Sequence, residues 1–162
     1  MTAALSPAEL ATLVEVARES MRHAVLERRS WHPDPAEYDG ALQAPGAAFV
    51  TLRRHGRLRG CIGSLVASQA LVSCVADRAR AAALDDPRFE PVGDAELSDL
   101  DVEVSVLTPS TPLDVSSYDE LVRTVRPGVD GVTVDDGRHR ATLLPAVREE
   151  LPEPAQFLAA LW

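Results

Sequence analysis

Apolar residues recur every three or four positions near the N-terminus, a spacing that predicts an amphipathic helix packed along one side. They are Leu10, Leu13, Val14, Ala17, Met21, Ala24 and Val25. Before this stripe, Ser6 can cap the helix, Pro7 suits its first position, and Glu9 completes a capping box. The pattern therefore predicts a helix over residues 7 to about 29, followed by an irregular connection over 31–45 that is rich in proline and glycine.

Two strands and a second helix are predicted next. Residues 47–53 and 58–65 are strand-like and are separated by His55-Gly56, a turn signal, so they form a predicted hairpin. Apolar positions over 69–84 have helical spacing. Residues 101–107 alternate valines with polar side chains, which predicts a half-buried strand whose second face is polar.

The C-terminal third repeats the alternation of helix and hairpin. A short helix capped by Ser116 or Ser117 is predicted to end near Val125, and Asp136-Gly137 marks a second hairpin. Two further helical segments are predicted over 145–151 and 154–161. This order favours an α+β fold, with an antiparallel sheet built from hairpins and flanked by helices.

Composition excludes several function classes. The 162 residues suit one domain, or one domain with a small lobe, and the net charge of −9 argues against binding to nucleic acids. The chain has neither lysine nor asparagine, which excludes Schiff-base chemistry, a P-loop and a Cys-His-Asn triad. The histidines and cysteines are scattered, so neither a metal site nor a cofactor is predicted. No apolar run is long enough to span a membrane, and a cytoplasmic protein with reduced thiols is expected.

The segment Leu58-Arg59-Gly60-Cys61-Ile62-Gly63 is the strongest candidate for chemistry. Glycine inside a strand marks a bulge or a close approach to the backbone, and a neighbouring cation favours a thiolate. The alternative is a small cysteine buried in a tightly packed strand. The predicted hairpin tip also carries several arginines, which form either a solvated tip or a site for a carboxylate or phosphate group.

A pocket follows if Arg59, Cys61 and Gly63 share one strand face and the polar face with Glu103 and Ser105 is adjacent. In that arrangement Cys61 is a nucleophile, Glu103 orients it or accepts a proton, and Arg59 holds a carboxylate. The alternative is a structural ion pair between Arg59 and Glu103. No histidine has a clear place beside Cys61, which weakens a protease-like interpretation.

Two other residues are candidates for binding a substrate. Gly60 belongs to the same glycine-flanked segment, and Arg88 lies in Asp86-Pro87-Arg88-Phe89. The alternative role for Arg88 is to stabilise the end of the preceding helix, where cations are favoured.

Several sequence blocks resemble the AMMECR-type family, whose bacterial and archaeal members are labelled AmmeMemoRadiSam system protein A. The most specific is Leu58-Arg59-Gly60-Cys61-Ile62-Gly63, which follows Gly46-Ala47-Ala48-Phe49-Val50-Thr51-Leu52. Further blocks match in the family's order at 86–89, 103–109, 126–132, 141–145 and 150–152. Together they cover nearly the whole chain.

This resemblance implies one domain over 1–162 with a larger and a smaller subdomain, the smaller within about 31–70, and a pocket near Arg59 and Cys61. It implies a Memo-type protein and a radical S-adenosylmethionine (SAM) protein as partners. Relatives continue past the point where this chain stops, at Trp162, so a second copy forming a homodimer is one way to cover the sheet edge. The function expected is a small enzyme with a cysteine-arginine-glutamate pocket for a small anionic substrate; the alternative is a non-catalytic binding or scaffold module.

Overall fold

The computed structural model describes residues 5–126, 129–143 and 156, which belong to two units, Met1–Pro109 and Ser110–Trp162. The first unit contains helix α1 (Pro7–Leu26), strands β1 (Pro45–Arg54), β2 (Arg57–Gly63) and β3 (Gln69–Ala70), helix α2 (Leu71–Leu84), a 3-10 helix (Asp94–Asp99) and strand β4 (Leu100–Leu107). The second contains helix α3 (Tyr118–Thr124) and strands β5 (Val132–Asp135) and β6 (Arg140–Leu143).

Helix α1 begins at the predicted capping box. The Ser6 hydroxyl accepts a hydrogen bond from the Glu9 N–H at 3.2 Å, and the Glu9 carboxylate accepts one from the Ser6 N–H at 2.8 Å. The helix ends before the predicted position because Arg28 adopts a left-handed backbone conformation with φ of 54°. The buried Ser20 hydroxyl donates to the Ala76 carbonyl oxygen of α2 at 2.6 Å, which joins the two helices.

The sheet of the first unit has β1 at its centre. Strand β2 pairs with one side of β1 and β4 with the other, both antiparallel, while the short β3 pairs with the beginning of β1. Alternate residues of β1, namely Ala48, Val50 and Leu52, are fully buried, and they join a core with residues of α1 and α2. The predicted α+β fold, an antiparallel sheet with flanking helices, is confirmed.

A β-bulge interrupts the pairing of β1 with β2. Leu52 pairs with Gly60, whereas Arg53 pairs with Leu58, so Arg59 is an extra residue in β2. A bulge changes the direction in which the following side chains point, because it breaks the two-residue alternation of a strand. The Arg59 side chain therefore does not point to the face of the sheet that regular alternation predicts for it.

The division of the chain falls at Pro109, and residues 31–70 lie inside the first unit. They belong there because they supply β1, β2 and β3, which form one sheet with β4. The irregular connection predicted over 31–45 contains two short 3-10 turns, Pro35–Glu37 and Gly40–Leu42, before β1 begins.

The second unit confirms the short helix and the hairpin. The Ser117 hydroxyl caps α3 by accepting from the Glu120 N–H, and β5 pairs with β6 around a turn in which Gly137 has φ of 83°. Val125 is buried at the centre of a small apolar cluster in this unit. The helical segments predicted over 145–151 and 154–161 lie outside the described residues, apart from residue 156. Among the helices described, none is long and apolar enough to cross a membrane.

Candidate functional site

The strand register places Cys61 on the face of the sheet opposite the helices. Cys61 pairs with Thr51, and Thr51 pairs with Glu103, which gives one row across the three strands. These positions alternate with the buried Val50 and Leu52, so they point away from the core. The thiol is half-buried, and its Sγ lies 3.3 Å from Thr51 Oγ1.

A second row lies beside the first. Gly63 pairs with Phe49, and Phe49 pairs with Ser105. We call the two rows together the thiol face; it comprises Phe49, Thr51, Cys61, Gly63, Glu103 and Ser105. The structure thus brings four of the sequence-predicted site residues onto one surface.

Within the thiol face, Cys61 and Glu103 are not neighbours. Cys61 is in β2 and Glu103 is in β4, and β1 lies between these strands. The two backbones are therefore separated by two strand spacings, roughly 10 Å. The hydroxyl of Ser105 contacts the Glu103 carboxylate at 3.5 Å instead. Among the described residues no hydrogen bond joins the thiol to Glu103, so the structure does not set up direct proton transfer between them.

Arg59 is absent from the thiol face and is engaged elsewhere. Its Nε and Nη2 bind the two carboxylate oxygens of Glu96 at 3.0 and 2.9 Å, and its Nη1 donates to the Glu90 carbonyl oxygen at 2.9 Å. The hydrogen bonds from Arg59, with a further one from the Gly93 N–H, lower the pKa of Glu96 to about 2. The ion pair between Arg59 and Glu103 considered from the sequence is not found in the described structure; Arg59 pairs with Glu96 instead.

Arg88 is held by a carboxylate two residues before it in the chain. Asp86 accepts hydrogen bonds from Arg88 Nη2 at 2.7 Å and from Arg88 Nε at 3.0 Å. Its Oδ2 also accepts from the Cys61 N–H at 2.9 Å, while Arg88 Nη2 donates to the Cys61 carbonyl oxygen at 3.2 Å. We call this arrangement of Asp86, Arg88 and Cys61 the Asp86 clasp. It occupies the outer edge of β2, so Arg88 stabilises a strand edge and not the end of a helix.

The electrostatics of the clasp follow from these contacts. The hydrogen bond from Arg88, followed by that from the Cys61 N–H, holds the pKa of Asp86 far below its ordinary value, against the opposing effect of burial. The hydrogen bond to Asp86 raises the pKa of Arg88 in turn. The Arg88 guanidinium therefore stays charged beside the main chain of Cys61, to whose carbonyl oxygen it donates.

The two glycines beside Cys61 are explained by close packing inside the protein. A Cβ on Gly60 would lie 2.2 Å from the carbonyl oxygen of Ala82, so only glycine lets α2 approach β2 this closely. A Cβ on Gly63 would lie 2.2 Å from the Phe49 ring, which covers that glycine. What approaches the backbone is thus a helix at one glycine and an aromatic ring at the other.

A depression of about 380 Å³ lies at the tip of the β1–β2 hairpin. We call it the tip depression; it is lined by Arg54, His55, Arg57, Leu58 and Arg59. Arg54 and Arg59 are held from the protein side, since Arg54 binds Glu96 at 3.1 Å and Asp99 at 3.2 Å. Arg57 is exposed and carries the charge that is most available to a ligand.

The roles of two carboxylates, Asp86 at the edge of β2 and Glu96 beside the hairpin tip, were not predicted from the sequence. Asp86 stands before a proline, as is common in turns, and it lies in one of the family-like blocks. That signal identifies a turn but not a partner on another strand. Glu96 has no sequence signal at all, because its partner Arg59 lies 37 residues away.

The protein is an α+β domain protein with helices on one face of an antiparallel sheet and a half-buried thiol on the other. It also has an arginine-lined hairpin tip. The chain belongs to the AMMECR1 family, which matches it over residues 14–162. This confirms the resemblance found in the sequence blocks.

Relatives match over most of their own length. A protein of Methanothermobacter thermautotrophicus is 40% identical over 148 residues, which cover 91% of this chain and 77% of that protein. A protein of Thermococcus onnurineus is 39% identical over 153 residues, covering 91% and 74%. The crystal structure of the uncharacterized protein PH0010 from Pyrococcus horikoshii superposes with a TM-score of 0.85 at 34% identity, covering 93% of this chain and 76% of that one.

Proposed function

We propose that the protein is a non-catalytic binding module that docks an acidic segment of a partner protein in the tip depression. The observation that carries the proposal is a depression of about 380 Å³ lined by three arginines and a histidine, in a protein with a net charge of −9. A local basic site in an acidic protein gives a docking position for carboxylates, because arginine binds them with two parallel hydrogen bonds.

The structure supports binding more than catalysis because the predicted pocket is divided. Arg59 binds Glu96, Arg88 binds Asp86, and Glu103 is separated from Cys61 by a strand. The tip depression, in contrast, keeps an exposed arginine beside two whose orientation is fixed. From the family resemblance we propose a Memo-type protein and a radical SAM protein in the cytoplasm as the partners. A second copy of this chain is the alternative partner.

Arg57→Glu is expected to weaken the complex with a purified Memo-type or radical SAM protein at least tenfold in Kd. The change places a carboxylate where the acidic segment docks, and like charges across an interface oppose association. Biolayer interferometry at low and at high salt measures the effect, which shrinks at high salt because exposed charges are screened.

Arg138→Glu is the matched control, since it makes the same charge change at an exposed arginine in the second unit. Cys61→Ser is expected to leave affinity intact. If the affinity for the partner protein is unchanged in Arg57→Glu, the proposal is contradicted. Arg54→Glu is less informative, because it would put a third carboxylate beside Glu96 and Asp99.

The second candidate function is a cysteine-dependent enzyme acting on a small anionic substrate. It is favoured by one observation: the Cys61 thiol is half-buried on the thiol face in contact with Thr51, and Arg88 donates to the Cys61 carbonyl oxygen. Arg88 is 53% exposed and takes the anion-binding role predicted for Arg59. Glu103 then acts on the substrate or through a bridging water, with Ser105 beside it.

Alkylation with iodoacetamide tests the accessibility that this enzyme needs. Cys61 is expected to react about 100-fold faster than Cys74, because reaction needs an exposed thiolate. Cys74 is the internal control: it is 1% exposed, and burial raises the pKa of its thiol. Peptide mass spectrometry at several pH values separates the two rates. If Cys61 reacts as slowly as Cys74, the proposed role of Cys61 as a nucleophile is contradicted.

A further inference from the structure

A second arginine-lined cavity lies where the C-terminal ends of α1 and α2 meet. It measures about 200 Å³ and is lined by residues from the C-terminal ends of α1 and α2 and the segment after α1. These are Ala24, Arg28, Arg29, Ser30, Arg80 and Leu84. None of them lines the tip depression or belongs to the thiol face.

Within residues 5–126 and 129–143, each of the three guanidinium groups has one side-chain hydrogen bond. Arg28 binds Asp94 through Nη2, Arg29 binds Glu27 through Nε, and Arg80 binds Asp85 through Nη2. Each guanidinium has five N–H donors, so several remain for a ligand at every arginine. The Ser30 hydroxyl, which has no hydrogen-bond partner among the described residues, adds one more donor.

A simpler role for these arginines is to satisfy the last carbonyl groups of the two helices, where cations are favoured. The hydrogen bonds do not show such capping, and the attraction of a cation to a helix end leaves its N–H donors free for a ligand. In the described part of the chain, the side chains of Arg28, Arg29 and Arg80 donate to carboxylates and not to helix carbonyls.

Arg28 itself stands where a glycine is the usual residue. It follows the C-cap residue Glu27 of α1 and has φ of 54°, a left-handed conformation that costs a residue with a Cβ roughly 1 kcal/mol. The backbone at this position therefore gains nothing from arginine. The side chain is what distinguishes arginine from glycine here, and it lines the cavity.

The existing ion pairs leave these arginines available to a stronger anion. Their side chains are 36% to 67% exposed, and ion pairs between exposed groups contribute little to stability. A phosphate group offers more charge than a carboxylate, and its tetrahedral oxygens can accept from donors arriving on several sides. Ala24 and Leu84 add apolar lining, which suits a small carbon group attached to the phosphate.

From this arrangement we propose that the cavity at the ends of α1 and α2 binds a phosphate group. The ligand is inorganic phosphate, a small phosphate monoester, or a phosphorylated side chain of a partner. Arg28, just after α1, and Arg80 of α2 hold its oxygens, and Ser30 adds a neutral donor. The site is independent of the docking role proposed for the tip depression.

Titration calorimetry with inorganic phosphate, on the full chain, tests the site. Arg28→Gly removes the guanidinium and also suits the positive φ, so the variant is expected to fold at least as stably as the wild type. Its Kd for phosphate is expected to rise at least tenfold. Arg80→Gln provides a second variant, on the other helix, with the same expected loss.

Two controls separate this site from other sources of binding. Arg18→Gln removes a charge from an exposed position of α1 outside the cavity, and Arg57→Glu alters the tip depression; neither is expected to change the Kd. Glycerol 3-phosphate and a phosphoserine peptide as titrants distinguish the three sources of phosphate. The proposal is overturned if wild-type protein binds none of the three at about 10 mM, or if binding is unchanged in both Arg28→Gly and Arg80→Gln.

Discussion

Replacing Gly60 by alanine is expected to lower the free energy of unfolding of the first unit by about 3 kcal/mol. The added Cβ would lie 2.2 Å from the carbonyl oxygen and 3.2 Å from the carbonyl carbon of Ala82. Both atoms are backbone, so no side-chain rotation relieves the contact. Helix α2 would have to move away from the sheet, and its buried residues would lose their packing against α1 and β1.

Gly93→Ala is the matched control. A Cβ there has its nearest neighbour at 3.7 Å, and φ is −86°, so alanine fits. Its stability is expected to stay level or to rise by about 0.5 kcal/mol. Denaturant unfolding followed by the fluorescence of Trp31, which stacks on His23 in the first unit, measures both variants in a Trp162→Phe background. A Gly60→Ala protein within about 0.5 kcal/mol of the wild type would show that α2 is not fixed against β2.

Asp86→Ala is expected to cost about 3 kcal/mol, because it removes the buried acceptor of the clasp. The Asp86 side chain is 1% exposed and accepts from the Cys61 N–H and the Arg88 guanidinium. The substitution leaves the Cys61 N–H without its partner. Asp85→Ala changes the preceding residue, whose 51% exposed side chain binds Arg80 only at the surface, and it is expected to cost less than about 1 kcal/mol.

The clasp also predicts how stability depends on pH. The folded protein holds the pKa of Asp86 far below the ordinary value of about 3.9, so the unfolded chain binds the proton more readily. The stabilisation by this carboxylate is therefore complete above about pH 4 and is lost as the pH falls towards the folded pKa. Glu96 acts in the same direction between its ordinary pKa of 4.5 and about 2.

Asp86→Asn is expected to flatten this acid dependence. The denaturation midpoints of wild type and variant should differ most near neutral pH and converge at low pH. A difference that stays constant over the acid range would mean that the charge of Asp86 does not contribute.

The elements of the fold were predictable because local signals determine them. The capping box at Ser6 fixes where α1 begins, and the Ser117 cap does the same for α3. The His55-Gly56 turn, with φ of 51° and 75°, joins β1 and β2 where the sequence predicts. In each case the residues that decide the structure are within a few positions of one another.

The shared face of Cys61 and Glu103 was also predictable, because it follows from alternation along each strand. The order of the strands was not, and it places β1 between the two residues. Arg59 was assigned to that face by the same two-residue spacing, and the bulge invalidates the spacing at that residue. The glycine pattern indicated a bulge or a close approach, and the structure contains both.

The partners of the arginines depend on contacts between distant parts of the chain. Glu96 meets Arg54 and Arg59 only after β4 has paired with β1, which brings the 3-10 helix beside the hairpin tip. No local pattern selects this carboxylate from the other acidic residues. This is why the arginine cluster was visible in the sequence, while the identity of its available member, Arg57, was not.

Covering the outer edge of β2 by the Asp86 clasp has a consequence for intermolecular association. An unprotected strand edge is a template onto which another polypeptide adds, and this leads to fibrils or exchanged strands. At Cys61 both main-chain groups that would receive such a strand are already taken by Asp86 and Arg88. Growth of ordered aggregates from this edge therefore requires the clasp to open first, so acidic conditions that protonate Asp86 should also shorten the lag before aggregation.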